Sequence, residues 1–422
     1  MPLALVCVAL IAVGVLSFVA GLLSDHPETA WRAFHVNFLY YAGLSQAGLV
    51  LACAFVIIGA GWPGPVRRIA EGLAAWVPVT FVLALLVLLL GGAEHVFPWI
   101  SHPIEIKAAW LNPTRFWVTQ LGIFFVLTVL TLAFLRTSVR PTLGGVAERA
   151  PVARGLFERW SAGWRGDEAE KEASERRLRV LAPIICLLFA VGYSLVGFDQ
   201  VMSVAPMWFS NLFGAYFAWG GFLSAVAATA LIAVLLRHSP GLEGHIDKSR
   251  MHDLGKMLFA FSIFWMYLFW SQYIVIWYGN LPEETDFLAA RLGPQFLQDK
   301  GLPGTRWIVD GFDFSFERLH QTPYAWLSMA VWACCWIVPF WVLLGQRPKR
   351  SPVVLGGVAF VMLVGFWLER NVLIWPSLVP SDRFAWLGPI QIGIALGFLG
   401  AFALVFLIYT RVFPALAVPA RD

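Results

Sequence analysis

Ten apolar runs, each long enough to cross a bilayer, limit what this chain can fold into more than any other feature of its sequence. A hydrocarbon core takes roughly 20 apolar residues to cross as a helix, and a barrel strand about half that. The first five runs extend from about Leu3 to Leu23, Phe38 to Gly61, Leu73 to Gly92, Phe116 to Leu135 and Val180 to Phe198. The other five extend from about Leu212 to Leu236, Gly255 to Tyr278, Tyr324 to Gly345, Pro352 to Ile374 and Trp386 to Tyr409. Lipid offers backbone groups no hydrogen bonds, so runs of this length must form helices. With 59% hydrophobic and only 13% charged residues among 422, the apolar surface exceeds what a water-soluble core can hide. The expected fold is an all-α integral membrane protein of about ten transmembrane helices. The expected grouping is two four-helix bundles, 37–198 and 211–374, plus two peripheral helices. The first run has no basic residues ahead of it and is too long for a signal-peptide core, so it reads as a helix.

Lys and Arg in the connections set an expected orientation, because cytoplasmic loops carry the excess. Arg67 and Arg68, a run from Arg140 to Arg177, then Arg237, Lys248 and Arg250, and finally Arg347, Lys349 and Arg350 follow the even-numbered runs. The segment from Gln200 to Asn211 has no basic residue. Both termini are therefore expected on the cytoplasmic side. Two connections are long. The 136–179 stretch mixes both charge signs around an amphipathic GLFERWSAGW and reads as a cytoplasmic connector. The 280–323 loop, on the outer side, carries Trp307, Phe312, Phe314 and Phe316 and reads as a docking surface for a partner.

Several chemistries lack their residues. The net charge of +4 is scattered, without the basic stripe that nucleic acid needs. The five cysteines show no CxxC or iron–sulfur spacing and are expected to be reduced thiols. The eight histidines read as lying at run ends or in loops, so no haem, iron–sulfur cluster or other metal is expected in this chain. No Walker, HExxH or GxGxxG motif stands in a suitable context, and no catalytic residue is assigned.

The positive signals are ionisable and polar residues where lipid discourages them. From Leu181 to Leu236 the only formally charged side chain is Asp199, in GFDQVMS. With no cation near it in sequence, it reads either as a proton-exchanging carboxylate or as a helix-end cap. Helix three carries Glu71 at one end and Glu94-His95 at the other, about 35 Å apart at 1.5 Å per residue. These are relay terminals or ordinary interfacial acids. Asp253 and Lys256 are i,i+3 neighbours able to pair. Ser271, Gln272 and Tyr273 lie inside a 24-residue run, as a polar site or as interhelical hydrogen-bond glue. Glu369-Arg370 interrupts a long uncharged run and is expected near the outer interface. A faint repeat also shows: Asn37-Phe38 with Gly43 and Ser45, then Glu71-Gly72, against Asn211-Leu212 with Gly220 and Ser224, then Asp253 and Gly255.

The segment GFWLERNVLIWPSL, Gly365 to Leu378, resembles the G-x-W-x-E-R-x-x-x-I-x-x-S-L element of NrfD-like quinone-interacting membrane subunits. The resemblance continues through Asn37 to Ser45, Arg67 to Glu71, Glu94 to Trp99, Asp199 to Gly214 and His252 to Thr285. Within that family the chain is most similar to the subunits of bacterial alternative complex III. The resemblance implies a non-autonomous subunit of a quinol:cytochrome c oxidoreductase in a bacterial cytoplasmic membrane. Its partners would be a sister NrfD-like subunit, a periplasmic iron–sulfur subunit and c-type cytochromes, with a terminal oxidase left open. Quinone or quinol is the implied cofactor. Glu71, Glu94, His95, Asp199, Asp253 and Glu369 are the positions that could carry protons, and Gln272, Tyr273 and Arg370 those that could orient a quinol head group. A secondary transporter and a purely structural anchor remain as alternatives.

Overall fold

The computed structural model describes residues 2–145, 154–239, 242–292, 323–379 and 386–412. Among them there is no strand, and ten helices are long and apolar enough to span a membrane. In chain order they are helix one Leu3–Leu22, two Pro27–Ile57, three Pro65–Leu89, four Pro113–Leu143, five Glu168–Val204, six Phe213–Leu236, seven Lys248–Gly279, eight Tyr324–Val342, nine Pro352–Leu378 and ten Pro389–Val412. The chain is a multi-pass, all-α membrane protein.

Several helices start or stop where the sequence supplies a cap. Asn112 accepts from the amides of Thr114 and Arg115 at 2.9 and 3.2 Å, with Pro113 in the first turn of helix four. Asp247 caps helix seven through the Arg250 amide at 2.8 Å. Asn280 ends that helix at φ 46°, a left-handed conformation that asparagine tolerates. Helix three tightens to a 3₁₀ turn over Ala74–Trp76 just ahead of Pro78, which has no N–H to continue the α ladder. Helix eight widens to a π turn over Ala333–Ile337 just ahead of Pro339.

Helices two and five begin well before their apolar runs do. Glu28, Arg32, His35 and Asn37 lie in the added turns of helix two, and Pro27 at its start favours initiation. His35 is thereby inside a helix and 5% exposed, which corrects the expectation that every histidine falls at a run end. The connector before helix five folds back through Arg140, which pairs with Glu170 at 2.6 Å and donates to the Trp160 and Ala162 carbonyls. Of the aromatic loop at 280–323, residues 293–322, with Trp307, Phe312, Phe314 and Phe316, lie outside the described residues.

Helices two, three, four and five pack in a ring, as do six, seven, eight and nine, and helices one and ten pair with each other against two and three. Helix two is the axis, with 83% of its central window buried against 11% for helix one. It meets helix six across the joint between bundles at Gly43 and Gly221, where a Cβ on Gly221 would stand 3.3 Å from the Gly43 backbone. These two glycines belong to the helices of the faint repeat.

Helices one and ten approach even more closely, since a Cβ on Gly397 would fall 2.5 Å from Gly14 Cα. Gly397→Leu should force that pair apart and cost roughly 1–3 kcal/mol. Gly122→Ala, on helix four where a Cβ meets nothing within 4 Å, should be neutral or stabilising by about 0.5–1 kcal/mol. Unfolding of purified protein in mixed SDS micelles measures both, and equal stability of the two variants would contradict the close crossing.

Candidate functional site

Three of the buried carboxylates, Glu71, Asp199 and Glu369, each centre a polar cluster that includes arginine. We call the membrane face bearing Arg67, Arg140, Arg250 and Lys349 the basic face. There Glu71, fully buried, accepts from Arg67 Nε at 2.9 Å, Arg68 Nη1 at 2.8 Å and Ser138 Oγ at 2.7 Å. The i,i+3 and i,i+4 spacing on one short helix brings both arginines to the same carboxylate, and Ser138 reaches it from the end of helix four.

At the opposite face of the same bundle lies Asp199. Arg115 grips it with two bonds, Nη1 to Oδ2 at 2.9 Å and Nη2 to Oδ1 at 2.7 Å, and Gln120 Nε2 adds a third at 2.8 Å. Gln200 donates to Gln120 Oε1 at 2.9 Å, and His35 Nε2 donates to the Gln200 carbonyl at 2.8 Å. The reading of Asp199 as a carboxylate without a nearby cation is therefore corrected. The cation comes from helix four, 84 positions away in sequence, where no local scan finds it.

Between these clusters, helix four carries Thr128 and Thr131, both buried. Gln46 on helix two, Thr80 on helix three and Thr128 on helix four each hold buried polar atoms without a hydrogen-bond partner. Such groups are costly to bury dry, and interior water is their usual partner.

The third cluster is in the second bundle. Glu369 and Arg370 are each 1% exposed. Trp265 Nε1 donates to Glu369 Oε1 at 3.3 Å, and Arg370 Nη1 lies 3.2 Å from Glu369 Oε2. Arg370 turns away over the Phe217 ring, 4.1 Å from its centroid, and bonds the Phe217 carbonyl. A Cβ on Gly220 would stand 3.2 Å from Arg370 Nη2, so this position leaves room for the pair.

Beside Glu369 opens a cavity in which the centres of water-sized molecules have about 70 Å³. Its walls are aromatic, including Trp208, Phe213, Tyr216, Trp265, Phe269 and Trp332, with Gln272, Tyr273, Ser328 and Arg291 as polar lining. Gln272 Oε1 accepts from Ser210 Oγ at 3.0 Å, and its amide donates to the Leu268 carbonyl. Arg291 comes from a short helix, Pro282–Leu292, after helix seven. Burial pushes its guanidinium down, to about 9, so it is charged at neutral pH.

The nine sequence-derived positions thus divide. Glu71 and Asp199 sit at the two ends of the first bundle, and Glu369, Gln272 and Tyr273 line the cavity of the second. Arg370 is next to Glu369 but does not line that cavity. Glu94 and His95 are exposed in a 3₁₀ turn, Gly92–His95, with the His95 ring stacked against Trp31. Asp253 pairs with exposed Lys256 at 2.6 Å at the basic face. Sequence reasoning missed Arg115, Gln120, Ser138, His35 and Arg291. Only Arg115, three residues beyond a capping Asn112, had a local signal. Among the described residues no three His, Cys, Asp or Glu side chains converge as a metal site. No protein-family model matches the chain, and no curated protein matches it.

Removing one partner of a buried ion pair strands the other charge. Arg115→Ala should cost about 3 kcal/mol in unfolding assays, and adding Asp199→Asn to it should recover at least half. A single Arg115→Ala variant as stable as wild type would show that this pair is not what holds Asp199.

Proposed function

We propose that the chain is an NrfD-like membrane subunit of a respiratory quinol:cytochrome c oxidoreductase and conducts protons through its first bundle. One observation carries the reading: helix four supports a buried carboxylate at each end, Asp199 through Arg115 and Gln120, Glu71 through Ser138. Gln120 and Ser138 are 18 positions apart, about 27 Å along a helix, close to the roughly 30 Å of a hydrocarbon core. Buried Thr128 and Thr131 lie between them, and Gln46 and Thr80 add unpartnered polar groups from neighbouring helices. Ionisable groups inside a membrane are retained where they carry charge or substrate. A titratable group at each mouth and polar groups between are what water-mediated proton transfer needs.

A second role, contact with quinol, is favoured by the cavity in the second bundle, whose lining includes Gln272, Tyr273 and Glu369. The assembly would be of the alternative complex III type, in a bacterial cytoplasmic membrane. Electrons would leave through an iron–sulfur subunit to c-type cytochromes, and a sister NrfD-like subunit would share the membrane arm. The basic face would be cytoplasmic, following the Lys and Arg bias of the loops. Autonomous solute flux by the reconstituted chain would instead support a secondary transporter.

In the intact complex in proteoliposomes, Asp199→Asn and Glu71→Gln should assemble yet lower quinol-driven proton movement about tenfold or more. Glu94→Gln, at an exposed position, and Asp253→Asn, at a half-buried one paired with Lys256, should leave it unchanged. Wild-type proton movement in both of the first two variants would end the proton-path reading. Orientation is tested separately, by cysteine labelling: substitutions at Arg67 or Arg250 should react only from the cytoplasmic side.

A further inference from the structure

The cavity of the second bundle is lined by two charged side chains, Glu369 and Arg291. Arg291 is 4% exposed, and its hydrogen bonds go to the Phe287 and Leu373 carbonyls and to Ser377 Oγ, at 2.9, 2.8 and 2.7 Å. Among the described residues it forms no ion pair. Its Nε is buried without a partner, and Glu369 Oε2 likewise has no hydrogen bond. Arg370, outside the lining, stands 3.2 Å from Glu369, whereas Arg291 has no carboxylate paired with it among the described residues. The rest of the lining is aromatic and aliphatic, the latter including Ile276, Leu288, Val331 and Val372. Trp208 stacks on Phe287 at 3.6 Å with 5° between planes, and Arg291 Cζ lies over the same ring at 3.3 Å from its centroid.

A largely apolar, aromatic-rich cavity holding a guanidinium without an ion pair among the described residues favours a ligand with an aromatic ring and a negative charge. The spacing limits its size. Arg291 is bonded at the level of Leu373, and Glu369 is one turn deeper on the same helix, about 6 Å at 1.5 Å per residue. That is the scale of one aromatic ring with a substituent at each end.

We infer that this cavity binds a planar ring with an acidic hydroxyl in its ionised form, the oxyanion paired with Arg291 and the opposite edge of the ring directed toward Glu369. Gln272 and Ser328 border the same space and supply neutral polar contacts. Arg291 is a binding residue here, and the sequence-derived head-group set of Gln272, Tyr273 and Arg370 is extended by it. For the natural occupant the inference rests on the quinol reading above. For the chemistry of the site it rests on the cavity alone.

Two rings that differ only in charge test it on the full chain in nanodiscs at pH 7. 2-Hydroxy-1,4-naphthoquinone is ionised there, and its methyl ether is neutral. Quenching of tryptophan fluorescence reports binding, since Trp208, Trp265 and Trp332 line the cavity. The hydroxy ring should bind wild type at least about tenfold more tightly than the ether. Arg291→Gln should abolish that preference and leave the ether within about twofold, and Arg291→Lys should restore part of it. Equal affinity of the two rings for wild type, equal loss of both in Arg291→Gln, or binding of neither would overturn the proposal.

Should Arg291→Gln not fold, wild type alone decides. As pH falls, affinity for the hydroxy ring should drop with its own protonation while that for the ether holds. Tyr216 and Tyr324 act on Arg291 electrostatically, and Glu369 and Tyr273 line the same cavity. A proton gained by any protein group would favour the anion, so a fall in its affinity reports the ring's own protonation, and the ether controls for structural change. Parallel curves for the two rings would reject an oxyanion site. A quinol analogue that fails to displace the bound hydroxy ring would remove quinol as the occupant and leave the oxyanion site standing.

Discussion

Burying a carboxylate in a membrane protein requires a counter-charge, and much of this structure is arranged to supply one. Taking an ion from water into a low-dielectric interior costs several kcal/mol even after relaxation, and only close, well-bonded partners offset it. Glu71 takes two arginines from its own helix and a serine from helix four. Asp199 takes a two-pronged arginine and a glutamine, again from helix four. Glu369 takes its chain neighbour, Arg370, and an indole from helix seven. Each cluster therefore fixes the rotation of the helices that meet there, because a turned helix would strand a charge.

Arg291 gives the second bundle its character. The first bundle has each buried carboxylate bonded to arginine at its two ends, with neutral polar groups between. The second has one ion pair, Glu369 with Arg370, and an arginine without an ion pair among the described residues beside an aromatic-rich cavity. Two bundles of like helix arrangement thus present different electrostatics, one suited to transfer along its length and one to holding a ligand. The close crossing of helices two and six at Gly43 and Gly221 keeps the bundles in contact through backbone rather than through long side chains.

The fold was largely legible before the structure. Runs of about 20 apolar residues admit only helices in lipid, so the number of spans and their approximate positions follow from hydropathy alone. Helix ends were less legible. Polar residues such as Glu28, Arg32 and His35 look like loop in a hydropathy reading, yet they continue helix two because Pro27 initiates it and neighbouring helices cover the turns. The site was legible as a set of improbable residues: Glu71, Asp199, Glu369 and Gln272 stood out because lipid makes them costly.

Their partners did not stand out, and the reason is distance along the chain. Asp199 and Arg115, Glu71 and Ser138, and Arg291 and Leu373 are joined by helix packing across tens of positions. An acid that looks solitary in its own segment says nothing about which helix lies against it. Nor does an arginine in a connection, such as Arg291, reveal that its segment folds under cover. Sequence alone determined ten membrane-spanning helices and named the acids within them, because both follow from local composition against the cost of lipid burial. Which charges are paired and where a cavity remains were decided only by tertiary packing, since counter-charge and space are properties of neighbours in three dimensions.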